Sequence, residues 1–247
     1  MQAIVLAAGM GKRLHSNENK CLTRINGLTL WERMVLAFRK AQIEKIIVVT
    51  GYRAKGLEKY IMAHSEGLEI HFIENSEYET TNNIWSLYLA GEYFDEDTIL
   101  LESDLIFEYN VVEEICKSKF PNIALLAEME SWMNGTRMKL YGNDIIEVVS
   151  SKDIFNTSDA LYKTVNIYKF SNAFLKDVYL PEIEKYISLY GKQEYYEMAL
   201  GNVIKSQCGL IKGMVIRSQW YEIDTIEDLE EAKKRFILDY NTVPKPE

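Results

Sequence analysis

Gln2-Ala3-Ile4-Val5-Leu6-Ala7-Ala8-Gly9-Met10-Gly11-Lys12-Arg13-Leu14 reads as two pieces joined without a break. The first, residues 2–7, is a continuous apolar run, the pattern of a central parallel strand covered on both faces. The second opens at once into small residues and glycines, followed by two cations. Gly9 and Gly11 let backbone amides approach a phosphate closely. Lys12 and Arg13 add charge, and an arginine can grip a phosphate through two bonds. Two familiar phosphate loops do not fit. A dinucleotide-binding turn needs G-x-G-x-x-G, and its third glycine is replaced here by Leu14. A P-loop needs G-x-x-x-x-G-K-[ST], and here Arg13 follows Gly11-Lys12 without that spacing.

Working outward from the loop, strands and helices alternate. Residues 29–41 place Leu30, Met34, Ala37, Phe38 and Ala41 at helical spacing, with Arg33, Arg39 and Lys40 expected outside. Residues 46–49 and 71–73 read as strands, and 53–64 and 82–94 as helices, the latter capped by Asn82 or Asn83. Residues 98–101 form another apolar strand that ends in Glu102-Ser103-Asp104. This order predicts an α/β fold: an open, three-layer, Rossmann-like mixed sheet, mostly parallel. The second half adds strands at 123–129 and 163–170 and a hairpin of 137–141 with 145–149. Helices follow at about 171–190 and 192–206, then a strand at 214–217, the segment Trp220-Tyr221-Glu222-Ile223-Asp224, and a helix from 226. These are the expected small antiparallel portion. No linker or repeat divides the chain, so residues 1–240 are expected to form one domain, with 241–247 a frayed tail.

The net charge of −9 argues against general nucleic-acid binding, which needs a basic face. It does not exclude a nucleotide, because a local cation cluster and a metal outweigh distant surface charge. No apolar run is long enough to cross a membrane, and the basic residues follow the N-terminal apolar stretch rather than precede it, unlike a signal peptide. Cys21, Cys116 and Cys208 are too scattered for a disulfide framework or zinc site, so a cytoplasmic location is expected. His15, His64 and His71 show no metal-ligand spacing.

The segment Leu6–Leu14 resembles the signature loop of the nucleotidyltransferases that make nucleotide sugars and CDP-alcohols, L-A-A-G-x-G-x-R-L. Lys20 matches a second signature lysine, although Cys21 stands where that family usually has proline. Lys20-Cys21-Leu22, Leu30–Met34, Thr81–Tyr88, residues 163–170 and Glu194–Glu197 resemble the branch of 2-aminoethylphosphonate and phosphocholine cytidylyltransferases. The resemblance implies that Leu6, Ala7, Ala8, Gly9, Gly11 and Lys12 line the nucleotide. It implies that Arg13 holds the triphosphate and that Lys20 contacts the reacting phosphate. Asn82, Asn83 and Ser86, where many sugar-nucleotide enzymes carry a Gly-Thr segment, could read a cytosine; the alternative is a plain helix cap.

Asp104 ends a strand, and in open α/β sheets ligands gather at the carboxyl ends of strands. Asp224 is a second acid, and residues 222 and 224 share a face if that segment is extended. The resemblance puts Asp104 and Asp224 on Mg²⁺; Asp224 or Thr225 could instead cap the last helix. For the acceptor, the candidates are Glu102, Lys163, Asn166, Tyr196, Glu197 and Trp220. Aromatic residues would suit a quaternary ammonium, and a carboxylate such as Glu197 a primary amine. Met133-Asn134-Gly135-Thr136 stands where the resemblance to the choline enzymes implies an aromatic-rich stretch, and that difference tilts the expectation toward a phosphonate. The function expected is Mg²⁺-dependent transfer of CMP from CTP to a small anionic phosphonate or phosphate. A sugar-1-phosphate nucleotidyltransferase and a non-catalytic nucleotide sensor are the alternatives. No nucleic-acid or membrane partner is expected, and a homodimer stays open.

Overall fold

In a computed structural model, which describes residues 1–14, 18–150 and 160–236, the N-terminal apolar run is a strand, β1 (Gln2–Leu6), buried at every position. His15 and the tail 241–247 lie outside the described residues. A small hairpin, β2 (Arg24–Ile25) with β3 (Leu28–Thr29), leads into α1 (Leu30–Lys40). Then come β4 (Lys45–Thr50), α2 (Ala54–Ala63), β5 (Glu69–Glu74), α3 (Asn83–Leu89), β6 (Thr98–Glu102), β7 (Leu105–Phe107) and α4 (Asn110–Lys117). The second half has β8 (Ile123–Glu128), β9 (Arg137–Tyr141), β10 (Asp144–Val149) and β11 (Tyr162–Phe170). After these, α5 (Asn172–Phe174) continues through a π-turn into α6 (Leu180–Tyr190), followed by α7 (Tyr196–Ser206), β12 (Lys212–Val215), β13 (Trp220–Glu222) and α8 (Ile226–Arg235).

Among the described residues, nine strands form one mixed sheet in the order β5-β4-β1-β6-β11-β8-β12-β10-β9. The first four are parallel. Alternation along them makes the three layers. Ala3, Val5, Ile46, Val48, Ile99 and Leu101 belong to one core with Trp31, Met34, Phe38, Leu57, Ile61 and Ile115 of α1, α2 and α4. Ile4, Ile47, Val49 and Leu100 belong to the other, with Ile84, Leu87, Tyr179, Leu200 and Val203. Strands covered on both faces must be apolar throughout, which is why β1 and β4 look like unbroken runs.

The antiparallel part is wider than the sequence suggested. Strand β11 inserts antiparallel between β6 and β8, and β10 pairs antiparallel with both β12 and β9. Arg33, expected outside α1, is buried, and its Nη2 donates to the Ile25 carbonyl oxygen at 2.7 Å. The helix expected from residue 192 starts at Tyr196. Thr29 caps α1 through a reciprocal box with Glu32, which satisfies two otherwise orphan donors. A third core (Leu14, Ile25, Leu30, Ile106, Tyr221, Ile223, Ala232, Phe236) packs α8 and the two-stranded ribbon β7–β13 against the segment that follows the glycine loop.

Candidate active site

The carboxyl ends of β1 and β6 meet where the Ser103 amide donates to the Leu6 carbonyl at 3.1 Å. Beyond them the chain opens a cleft of about 620 Å³. Leu6, Ala8, Gly9, Gly11, Lys12 and Arg13 line one side. A Cβ on Gly9 would meet no atom within 4 Å, so the space above that backbone is open to a ligand. Gly11 has φ +59°, a conformation glycine adopts without strain, and the Lys20 side chain packs against it. Ala7 does not line the cleft; it is buried, and its amide continues the sheet to Val49.

Facing the loop, three carboxylates converge. Asp104 follows β6, Glu222 ends β13, and Asp224 lies two residues on. One oxygen from each lies within 4.8 Å of the others. The Ile223 amide donates to the Asp104 carbonyl at 2.9 Å, a bond that fixes the two segments in register. The alternative of Asp224 as a cap is settled by α8 itself: Thr225 is the cap, in a reciprocal box with Asp228. Asp224 is thereby left free to face the cleft. Lys20 Nζ donates to Asp104 Oδ2 at 2.9 Å and also to Asp224 Oδ1, and Arg13 Nη2 lies 2.8 Å from Asp224 Oδ2. Burial pulls the Lys20 ammonium down, but Asp104 and Asp224 outweigh it and hold its pKa above that of a free lysine. Asp104 Oδ1 is buried and has no hydrogen-bond partner among the described residues.

Asn82, Asn83 and Ser86 line the cleft at the start of α3. Asn82 is the helix cap; its side chain accepts from the Asn83 amide at 2.8 Å. Asn83 is occupied inside the protein. Its Nδ2 donates to Glu102 Oε1 (3.1 Å), and its Oδ1 accepts from the Tyr196 amide (3.0 Å). Ser86 Oγ accepts from Asn75 Nδ2 at 3.1 Å. Of the acceptor candidates, Glu102, Lys163, Asn166 and Glu197 line the cleft. Tyr196 and Trp220 do not: both are buried in the cores, where large rings find most of their packing. The Tyr196 hydroxyl still reaches Glu102 Oε1 at 3.1 Å from behind.

Lys163 is almost wholly buried; its Nζ donates to the Thr164 carbonyl (2.8 Å) and lies 3.5 Å from Glu222 Oε2. Asn166 holds φ +60° where β11 slips register against β8, pinned by two 3.0 Å bonds with the Thr164 hydroxyl. Burial pushes the Glu197 carboxyl up to about 7. Glu102 and Glu222 are also raised by burial, and neighbouring acids push them further. Glu222 is the acid that the sequence did not single out. Its spacing of two from Asp224 was the only signal.

Residues 3–128, just over half of the chain, match the MobA-like NTP transferase domain. The chain belongs to the MobA-like NTP transferase family. It is similar to CMP-5'-(3-aminopropyl)phosphonate synthase of Streptomyces rubellomurinus, 28% identical over 96% of this chain. The chain spans 39% of that synthase's length. It is 25% identical to CTP:phosphoglutamine cytidylyltransferase of Campylobacter jejuni, over 93% of this chain and 98% of that one. The fold of the chain is also that of CTP:phosphocholine cytidylyltransferase from Streptococcus pneumoniae, with TM-score 0.80 at 20% identity over 95% and 98% of the two chains. Among the described residues no helix is long and apolar enough to cross a membrane, and all three cysteines are free.

Proposed function

We propose that the chain transfers CMP from CTP to a small phosphonate or phosphate, with 2-aminoethylphosphonate the favoured acceptor, and releases pyrophosphate. The observation that carries this is Lys20. It joins the glycine loop, through Gly11, to Asp104 and Asp224 across one cleft. The names of the relatives support the choice of CTP and of a phosphorylated or phosphonate acceptor.

An oxygen of the acceptor's phosphonate forms a bond to the α-phosphorus of CTP as the bond to the β-phosphate oxygen breaks. The nucleophile is anionic at neutral pH, so no general base is required. Catalysis is then positioning plus neutralisation of charge. The loop amides of Gly9 and Gly11, with Lys12 and Arg13, hold the triphosphate. Lys20 neutralises charge on the reacting phosphoryl group. Asn82 and Ser86 take the base, while Asn83 braces Glu102. Asp104, Glu222 and Asp224 offer an all-oxygen donor set, and the unpartnered Asp104 oxygen suits a hard divalent cation. Mg²⁺ held there would supply charge neutralisation at the phosphates.

The test is pyrophosphate release with Mg²⁺, pairing CTP, UTP, ATP and GTP with 2-aminoethylphosphonate, phosphocholine and glucose-1-phosphate. Release with CTP and either of the first two acceptors is expected. Release with glucose-1-phosphate alone would replace the proposal with a sugar-1-phosphate nucleotidyltransferase. Nucleotide binding without release from any pair would favour a sensor.

A further inference from the structure

Beside the phosphate machinery, the cleft holds two acids for which the transfer step has no use. Glu102 closes β6, and Glu197 stands in the first turn of α7; both line the cleft. Glu197 is 3% exposed, and its Oε2 has no hydrogen-bond partner among the described residues. Glu102 receives the Asn83 amide and the Tyr196 hydroxyl, but both are neutral donors and both go to Oε1. The nearby buried cation, Lys163, makes its ion pair with Glu222, and it reaches Glu197 only as a more distant charge that partly offsets the effect of burial. Among the described residues no lysine, arginine or histidine nitrogen lies within 4.0 Å of an oxygen of Glu102 or Glu197. Carboxylates left unpaired in so dry a place are costly, and a cation arriving with a ligand would relieve the cost.

We propose that Glu102 and Glu197 form a subsite for a primary ammonium group on the acceptor, and that this subsite sets which acceptor is used. The inference rests on the transfer reaction proposed above. A primary ammonium carries three donors and can satisfy oxygens of both carboxylates at once. A trimethylated ammonium has none and depends on aromatic faces. Among the described residues, the aromatic side chains lining the cleft are Tyr78 and Tyr195, and Tyr195 is 49% exposed at the rim. Trp220 and Tyr196, the rings that a cage would need, are in the cores. The acid pair is also held in place before a ligand arrives. The one amide of Asn83 ties Glu102 on β6 to the start of α7, next to Glu197. Preorganisation of this kind lowers the ordering cost of binding.

The test compares transfer from CTP to 2-aminoethylphosphonate, to ethylphosphonate, which lacks the amine, and to phosphocholine. In the wild type, deleting the amine is expected to lower kcat/KM by on the order of 10²-fold or more, mainly through KM, because a polar site is then left unpaired. In Glu197→Gln the penalty for deleting the amine is expected to shrink to below about 10-fold, since the two changes remove the same contact. Its melting temperature is expected to equal or exceed that of the wild type, because an unpaired carboxylate is gone. Glu102→Gln keeps an oxygen for Asn83 and Tyr196 and is expected to give the same shrinkage, should the first variant fail to fold. Equal use of ethylphosphonate or phosphocholine by the wild type overturns the subsite and leaves the transfer reaction standing. So does an undiminished amine penalty in both variants. No release with any acceptor overturns the subsite together with the reaction.

Discussion

At the scale of single residues, Lys20 occupies the place where opposite charges meet. Its ammonium bridges Asp104 and Asp224, and Arg13 takes the second oxygen of Asp224. With Lys163 facing Glu222, all three converging acids carry one of the chain's own cations. A divalent cation drawn to these acids would compete with the Lys20 ammonium for Asp104 and Asp224, and a weakened ion pair would leave Lys20 for a phosphate. Lys20→Ala is therefore expected to have two opposite effects. Transfer slows by on the order of 10²–10³, the usual cost of losing one strong electrostatic group. Binding of Mn²⁺ without nucleotide tightens, as measured by titration calorimetry. Unchanged or weaker Mn²⁺ binding would remove the competition. Lys20 and Arg13 were legible in the sequence because they sit in or just after a recognisable loop. Glu222 showed only its shared face with Asp224, and a glutamate on an extended segment looks the same whether it faces water or a metal site. Tyr196 and Trp220 were misplaced for the opposite reason, since aromatic residues suit a core and a ligand cage equally well.

At the scale of elements, α8 shows how a local signal can be read and still leave a choice. The stretch Asp224-Thr225-Ile226-Glu227-Asp228 offers two caps. The structure uses Thr225, whose hydroxyl accepts from the Asp228 amide at 3.2 Å, while Asp228 Oδ2 returns to the Thr225 and Asp224 amides at 2.8 and 3.1 Å. The cap therefore also steadies the backbone of Asp224. Thr225→Ala should cost about 1 kcal/mol of stability in urea denaturation, and it should weaken Mn²⁺ binding by loosening Asp224. A stability loss with metal affinity intact would confine the cap to the helix. The long periodic elements, α1 and the strands β1, β4 and β6, were legible from their patterns. The two-turn α4 and the three-residue β7 are too short to show a period. The start of α7 moved to residue 196 because Tyr196, Ala199, Leu200 and Val203 pack into a core, whereas residues 191–195 do not.

Across the whole molecule, the cleft exists because segments far apart in the chain are packed tightly around it. Gly51, just after β4, illustrates the tolerance. A Cβ there would stand 2.8 Å from Tyr78 Cβ and 2.9 Å from both Ala8 Cβ and the Ala8 carbonyl oxygen. Backbone cannot step aside as a flexible side chain can. Gly51→Ala is expected to destabilise the protein by roughly 1–3 kcal/mol, as overpacking does, and to raise KM for CTP by shifting the glycine loop. Denaturation and steady-state kinetics check the two effects together; a neutral substitution would mean that the loop yields freely. The sequence by itself determined the α/β alternation, the glycine loop and Asp104, the acid at the end of the strand before it. Each of these is encoded by backbone periodicity or sterics within a few neighbouring residues. Only the tertiary structure decided the strand order, the antiparallel insertion of β11, and the meeting of Lys20 with acids 84 and 204 residues away. Strands covered on both faces share one apolar pattern whichever neighbours they take, so their pairing, and the site built on it, is fixed by packing across the whole sheet.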